Sequence, residues 1–395
     1  MNNRLWITSL LTAIAAILVI ALVQRILPGA PGPMKGVLAG EASRHAGTMP
    51  SSRSTQSSTR PATLDSSLFV GDSLEGTFLQ LHQEHRKWPE ARWRVEFEQA
   101  SRLGMKILIL QWVQHEQVDF AEMDRDQRSC LEEIMGAADA QGMSVYVGLS
   151  LRNSWWKAGS FTAQYIAEEL DRNKRLAERL YPMVKQHPCF RGWYIPHEVT
   201  DLENSGAEQE SVIHFFSELT AQIHKVDPLK PILASGYTDP GRAKLVHFIS
   251  WWTIFLRESG VDIVLFQDGA GIRPQGSWRN VLPLIEALVQ VAEEFGNELW
   301  LVPEVFTQTH GQPVDDKPFA AEPADFARVR QQLDGLGKSK LRLIAYNYFD
   351  YMRPEASPQA KGLYEATQRY VDEKAARARK QVITSTRPAT WPSAR

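Results

Sequence analysis

Eight short apolar runs, each followed by a stretch of helical periodicity, constrain this chain more than any other feature. The runs cover residues 74–81, 106–112, 144–149, 192–197, 231–235, 262–266, 299–302 and 341–348. Helical periodicity follows over 92–103, 127–141, 161–185, 211–226, 241–258, 281–295, 324–336 and 358–374. Apolar runs of this length, separated by helices, read as strands of a parallel sheet covered by crossover helices. Eight βα units close into a (β/α)8 TIM barrel, an α/β fold. An open doubly wound sheet is the alternative. It would place a glycine-rich phosphate turn after a strand, and Gly148-Leu149 and Gly269-Ala270-Gly271 are too sparse for one.

Charge and composition narrow the partners. With 44 basic against 46 acidic residues, the net charge of -2 gives no electrostatic footing for nucleic acid. The two cysteines, Cys130 and Cys189, fall on a helix and just before a strand without metal-ligand spacing, and read as unpaired buried thiols. No cofactor motif is present.

The first thirty residues are of a different kind. Residues 5–23 are uncharged and mostly Leu, Ile, Val and Ala, close to the roughly 20 needed to span a bilayer. Arg4 precedes them, so the start is expected in the cytoplasm and the remainder outside, on the periplasmic side of the inner membrane. A cleaved signal peptide competes with this anchor, but no small-x-small site follows the run. The expected organisation is an anchor at 1–27, a Pro/Gly/Ser-rich disordered linker at 28–66, the barrel at 67–374 and a disordered tail at 375–395.

In such a barrel, residues at and just beyond the strand ends line one mouth. Here they are Gln80, His82, Gln111, Trp112, Asn153, Trp155, His197, Tyr237, Gln267, Asp268, Asn347 and Tyr348. Aromatic faces among amides and carboxylates suit sugar rings, whose C–H faces are apolar and whose edges carry hydroxyls. Two glutamates stand out. Glu198 ends the fourth run, Gly192-Trp193-Tyr194-Ile195-Pro196-His197-Glu198, and Glu304 ends the seventh, Leu299-Trp300-Leu301-Val302-Pro303-Glu304. A single Glu at a strand end is more often a cap or an ion-pair partner than a catalyst. Two at one mouth are the pair that glycosidic-bond hydrolysis requires, one to protonate the leaving oxygen and one to attack or to activate water. Apolar surroundings at Trp193 and Tyr194 favour the acid form of Glu198, hence the donor role.

The order of elements, with one Glu ending strand four and another ending strand seven, resembles the clan of retaining (β/α)8 glycosidases. The run from Gly192 to Glu198, with Gly76-Thr77-Phe78-Leu79-Gln80 at strand one, resembles more closely a bacterial family of glycoside-hydrolase-like barrels. The resemblance spans about 74–370 and implies Glu198 as general acid/base and Glu304 as nucleophile. Two positions depart from the clan. His197 stands where many members carry an Asn that bonds the sugar 2-hydroxyl, and Gln111 and Trp112 occupy a region where they carry an Arg supporting the nucleophile.

The leading reading is thus a membrane-anchored glycoside hydrolase acting on a polysaccharide or oligosaccharide, in contact with polysaccharide synthesis or export machinery. A non-catalytic carbohydrate-binding barrel of an export assembly is the second. A metal-dependent polysaccharide deacetylase is the third, and it needs His82 or His85 to converge with Asp268 or other acids.

Overall fold

A computed structural model describes residues 73–385, apart from 125–127, 157–160, 203–205, 274–275 and 311–318, with side chains to residue 377. The apolar run at 5–23 and the linker at 28–66 lie outside these residues, as does 386–395 of the tail. Among the described residues no helix is long and apolar enough to cross a membrane.

Eight strands form a closed parallel barrel: β1 (Leu74–Leu79), β2 (Ile107–Leu110), β3 (Ser144–Gly148), β4 (Phe190–Thr200), β5 (Ile232–Tyr237), β6 (Ile263–Gln267), β7 (Glu298–Val302) and β8 (Leu343–Ala345). Each pairs with its neighbours in sequence, and β1 closes on β8. Helices α1 (Glu90–Arg102), α2 (Cys130–Gln141), α3 (Ala163–Val184), α4 (Gly206–Val226), α5 (Leu245–Glu258), α6 (Leu282–Phe295) and α7 (Phe326–Leu336) alternate with them, and α8 (Pro358–Ser385) follows β8. Local chemistry sets several ends. Ser129 caps α2 by accepting the Glu132 N–H at 3.2 Å, and Gly142, at φ 63°, ends that helix in the left-handed conformation that glycine adopts without strain.

Alternation along the strands fills the barrel interior. Phe78, Ile107, Ile109, Tyr146, Tyr194, Leu233, Ile263, Leu265, Trp300, Val302 and Ile344 form one buried cluster, contributed by all eight strands. Trp251 and Trp252 of α5 are buried, and a β-carbon on Gly236 of β5 would lie 2.3 Å from the Trp252 ring. At Gly148 an added β-carbon would meet the Leu110 carbonyl oxygen at 2.1 Å, so only glycine lets β2 and β3 approach this closely.

Three elements differ from expectation. β4 runs further, to Thr200, and its register against β5 slips between Ile195 and Val199. β8 stops at Ala345 because Asn347 starts a helical turn, Tyr348–Tyr351, by accepting the Asp350 N–H at 2.8 Å. α8 continues to Ser385 where 374 was the expected end.

Candidate active site

The inward alternation of the core continues past the strand ends and selects the mouth. Following Phe78, Ile109, Leu265, Val302 and Ile344, the next inward positions are Gln80, Gln111, Gln267, Glu304 and Tyr346. Glu198 joins them from the bulged stretch of β4. All sit at the C-terminal ends of parallel strands, the face on which barrel sites assemble.

Glu198 is half-buried, and burial pushes its carboxyl up to about 7, partly offset by a hydrogen bond from the Gln267 side chain. Its main chain is held from behind, since Trp155 donates its indole N–H to the Glu198 carbonyl at 3.0 Å. Glu304 is only 5% exposed, and its hydrogen-bond partners come from the neighbouring β6 loop and from α7. Gly271 donates its N–H to Glu304 Oε2 at 2.6 Å, and the Glu304 N–H goes to Asp268 Oδ1 at 3.1 Å. Arg328 and Gln332 of α7 donate to the Glu304 carbonyl at 3.1 and 3.2 Å. Burial and the neighbouring Asp268 carboxyl raise the Glu304 carboxyl well above the ordinary range. Asp268 accepts from Gln332, Ala270 and Glu304, and three donors make it the member of the pair better suited to carry the negative charge. Tyr346 ties the two sides together. Its backbone bridges that of Glu304 in parallel, its hydroxyl donates to Gln111 Oε1 at 2.9 Å, and its phenol feels the charge of Glu198.

Of the residues expected at the mouth, Gln80, Gln111, Gln267, Glu198 and Glu304 take inward positions, and Tyr237 is half-buried at the end of β5. His82 lies on the rim, 3.4 Å from Asp350, which raises its imidazole. Asn153 is exposed and pairs with His115 at 3.1 Å.

Six expected sugar contacts are turned away instead. Trp112 donates to the Leu81 carbonyl at 3.1 Å and is 5% exposed, and Trp155, 3% exposed, packs edge-on against His197 behind Glu198; it is Trp156 that reaches solvent, at 46%. His197 is fully buried, pointing out of the barrel to Glu169 Oε2 at 3.0 Å, because adjacent residues on a strand face opposite sides and Glu198 takes the inner one. Asp268 is fully buried behind Glu304. Asn347 is consumed in capping the Tyr348–Tyr351 turn, and that turn swings Tyr348 outward to Glu96 and Gln99 at 3.3 and 3.2 Å.

Neither His82 nor His85 converges with Asp268, and among the described residues neither belongs to a cluster of three possible metal ligands. His82 pairs with Asp350, His85 is buried between Trp88 and Trp93 with its imidazole lowered to about 4, and Asp268 is bonded to Gln332.

Tyr346, Arg328, Gln332 and Gly271 were not among the expected site residues. Strand parity alone marks Tyr346. Arg328 and Gln332 come from a helix, and nothing in their local sequence announces that they support a strand end.

No curated protein matches the chain. Among solved structures, it is similar to a Bacteroides thetaiotaomicron protein provisionally named an alpha-L-fucosidase, with 19% identity, a TM-score of 0.63 and coverage of 78% of this chain and 99% of that one. It is also similar to an endo-1,4-beta-mannanase from Rhizomucor miehei, with 15% identity, a TM-score of 0.49 and coverage of 73% and 88%. The first likeness establishes the barrel architecture, and the second is too distant to add to it. The family model described as Domain of unknown function (DUF4434) matches residues 74–362, and the chain therefore belongs to that family.

Proposed function

We propose that the barrel is a glycoside hydrolase in which Glu198 donates the proton to the leaving oxygen and Glu304 is the anionic partner. The observation that carries this reading is the pair itself: two carboxyl groups ending β4 and β7 at the same face, each raised by burial. A carboxyl near 7 retains a proton at neutral pH and can give it up as the glycosidic bond breaks. The Glu304 carboxyl accepts the Gly271 N–H, and its main chain is fixed by the N–H bond to Asp268, so the group is held at one point of the mouth. We therefore favour attack on the anomeric carbon, with retention of configuration, over water activation. Glu304 reacts as the carboxylate: it loses its proton to solvent before attack, and the positive charge developing on the sugar ring then stabilises its anionic form.

Gln80, Gln111, Gln267, Tyr237 and Tyr346 supply amide and hydroxyl groups for sugar hydroxyls. Anchoring in the cytoplasmic membrane, with the barrel in the periplasm near polysaccharide synthesis or export machinery, belongs to the same reading. It rests on the apolar run at 5–23 and on Arg4.

The test is hydrolysis of a panel of aryl glycosides that begins with α-L-fucoside and β-D-mannoside, the sugars named for the similar barrels, followed by NMR of the first-formed anomer. Turnover lost on every substrate in Glu304→Gln, and lost on poor leaving groups in Glu198→Gln, supports the assignment. An inverted product removes the nucleophile role, and unchanged turnover in Glu304→Gln, or in Glu198→Gln on poor leaving groups, removes the pair.

A further inference from the structure

Where α2 ends and β4 begins, at the end of the barrel opposite the glutamates, Asp139, His187 and Cys189 come together. Each offers one ligand atom, and these atoms lie within 4.8 Å of one another. We infer that they form a binding site for a divalent transition-metal ion, with Zn2+ the ion their chemistry fits best. An imidazole, a thiolate and a carboxylate are the donors zinc takes, whereas magnesium and calcium call for oxygen alone. Bonds of about 2.0–2.3 Å in tetrahedral geometry set donor atoms about 3.5 Å apart, within the observed spread.

The metal-free arrangement is a set of hydrogen bonds that holds the three groups in place. His187 Nδ1 lies 2.6 Å from Asp139 Oδ2, and the Cys189 N–H donates to Asp139 Oδ1 at 2.7 Å. The thiol contacts the Met135 carbonyl at 3.5 Å and also bonds the Asp139 carboxyl, which leaves sulfur lone pairs free. A cation placed between the thiol and the Asp139 carboxyl would let the sulfur bind as the thiolate. Binding therefore exchanges one proton, from Cys189, for one metal ion. His187 binds as the neutral ring, its remaining proton moving to the nitrogen that does not ligate.

Ligation requires the His187–Asp139 contact to open slightly. Both side chains can accommodate this, with 17% and 25% of their surface exposed, and the same opening admits water as a fourth ligand. A nucleophilic role for Cys189 is disfavoured by the same facts, since the thiol is 2% exposed and held protonated. His187 and Cys189 are near neighbours in the chain, but the third donor lies 48 residues before His187, which is why sequence spacing showed no metal set. An ion here would pin the C-terminal end of α2 to the first residues of β4, the strand that carries Glu198.

The test uses the tag-free full chain, purified in detergent, stripped with EDTA and titrated with CoCl2. Expected are one cobalt ion per chain, a near-ultraviolet thiolate-to-cobalt absorption band and visible bands of tetrahedral cobalt, all removed by added ZnCl2. Cys189→Ser should abolish the charge-transfer band, and Asp139→Asn and His187→Gln should weaken Zn2+ binding at least about tenfold. Cys130→Ser should leave the spectrum intact. A folded wild-type protein that gives no cobalt spectrum overturns the site, as does a charge-transfer band that survives in Cys189→Ser. The wild-type titration decides the matter even where a variant fails to fold.

Discussion

Asp268 takes the Glu304 main-chain N–H on one oxygen, at 3.1 Å, and the Gln332 amide on the other, at 2.6 Å, so a buried carboxyl ending β6 fixes the backbone of the glutamate beyond β7. Asp268→Asn must aim an amide N–H2 at one of these donors. The variant is expected to lose about 1–3 kcal/mol of stability in urea unfolding. Removing the like charge should also lower the Glu304 carboxyl, shifting the acidic limb of the pH–rate profile to lower pH. A variant with wild-type stability and an unmoved limb would show that Asp268 has no such role.

The two glutamates should differ in what they tolerate. Glu304→Gln is expected to abolish turnover of every substrate, because no glycosyl-enzyme forms. Glu198→Gln should retain activity on activated aryl glycosides while losing it on poor leaving groups. Azide should rescue Glu198→Ala on the activated substrate and yield a glycosyl azide of retained configuration. Equal losses across leaving groups would argue against Glu198 as proton donor.

Glu198 also leaves a mark on stability. Its carboxyl keeps a proton to about 7 in the fold, against 4.5 for an ordinary glutamate, so between those values the folded state binds more protons than the unfolded. Stability therefore falls as pH rises across that window and levels off above it. Glu198→Gln cannot ionise and should be more stable than wild type at about pH 8, by up to roughly 2–3 kcal/mol, with little difference at about pH 4. Thermal melts at both values check this, and a pH-independent difference would contradict it.

Behind Glu198, Arg152 Nε donates to Glu169 Oε1 and His197 shares Glu169 Oε2 at 3.0 Å. Glu169 and His197 are fully buried. Glu169→Gln removes the buried charge that Arg152 and His197 share, while Arg152 keeps its pairing with Glu168, and a loss of about 1–3 kcal/mol is expected in denaturant unfolding. A loss under about 1 kcal/mol would mean that the trio is screened like a surface pair.

The anchor has its own test. Full-length protein should sediment with membranes and remain there in high salt, while a chain beginning near Leu64 should stay in the supernatant. A mature N-terminus beyond Arg25 on the natural protein would identify a cleaved signal instead.

The barrel was legible because eight apolar runs and their intervening helical periods survive as physical elements, each strand overlapping its expected range. The mouth was less so. Reading every polar residue near a strand end as a sugar contact mixed two faces. Gln111 and Glu304 point in, whereas Trp112 turns to the Leu81 carbonyl beyond β1 and His197 points into the helix layer to Glu169. Counting the inward set from Ile344 would have reached Tyr346 and passed over Asn347. The slip between Ile195 and Val199 and the turn begun by Asn347 break that count locally, and both arise from pairing and capping that no apolar pattern records.

The hold on Glu304 ties three elements into one unit. The Gly271 amide in the loop after β6 donates to its carboxyl, its peptide N–H donates to Asp268, and two side chains of α7 donate to its carbonyl. A β-carbon at Gly271 would collide with the Phe306 ring at 2.6 Å, so this loop cannot be rebuilt without displacing the carboxyl it holds.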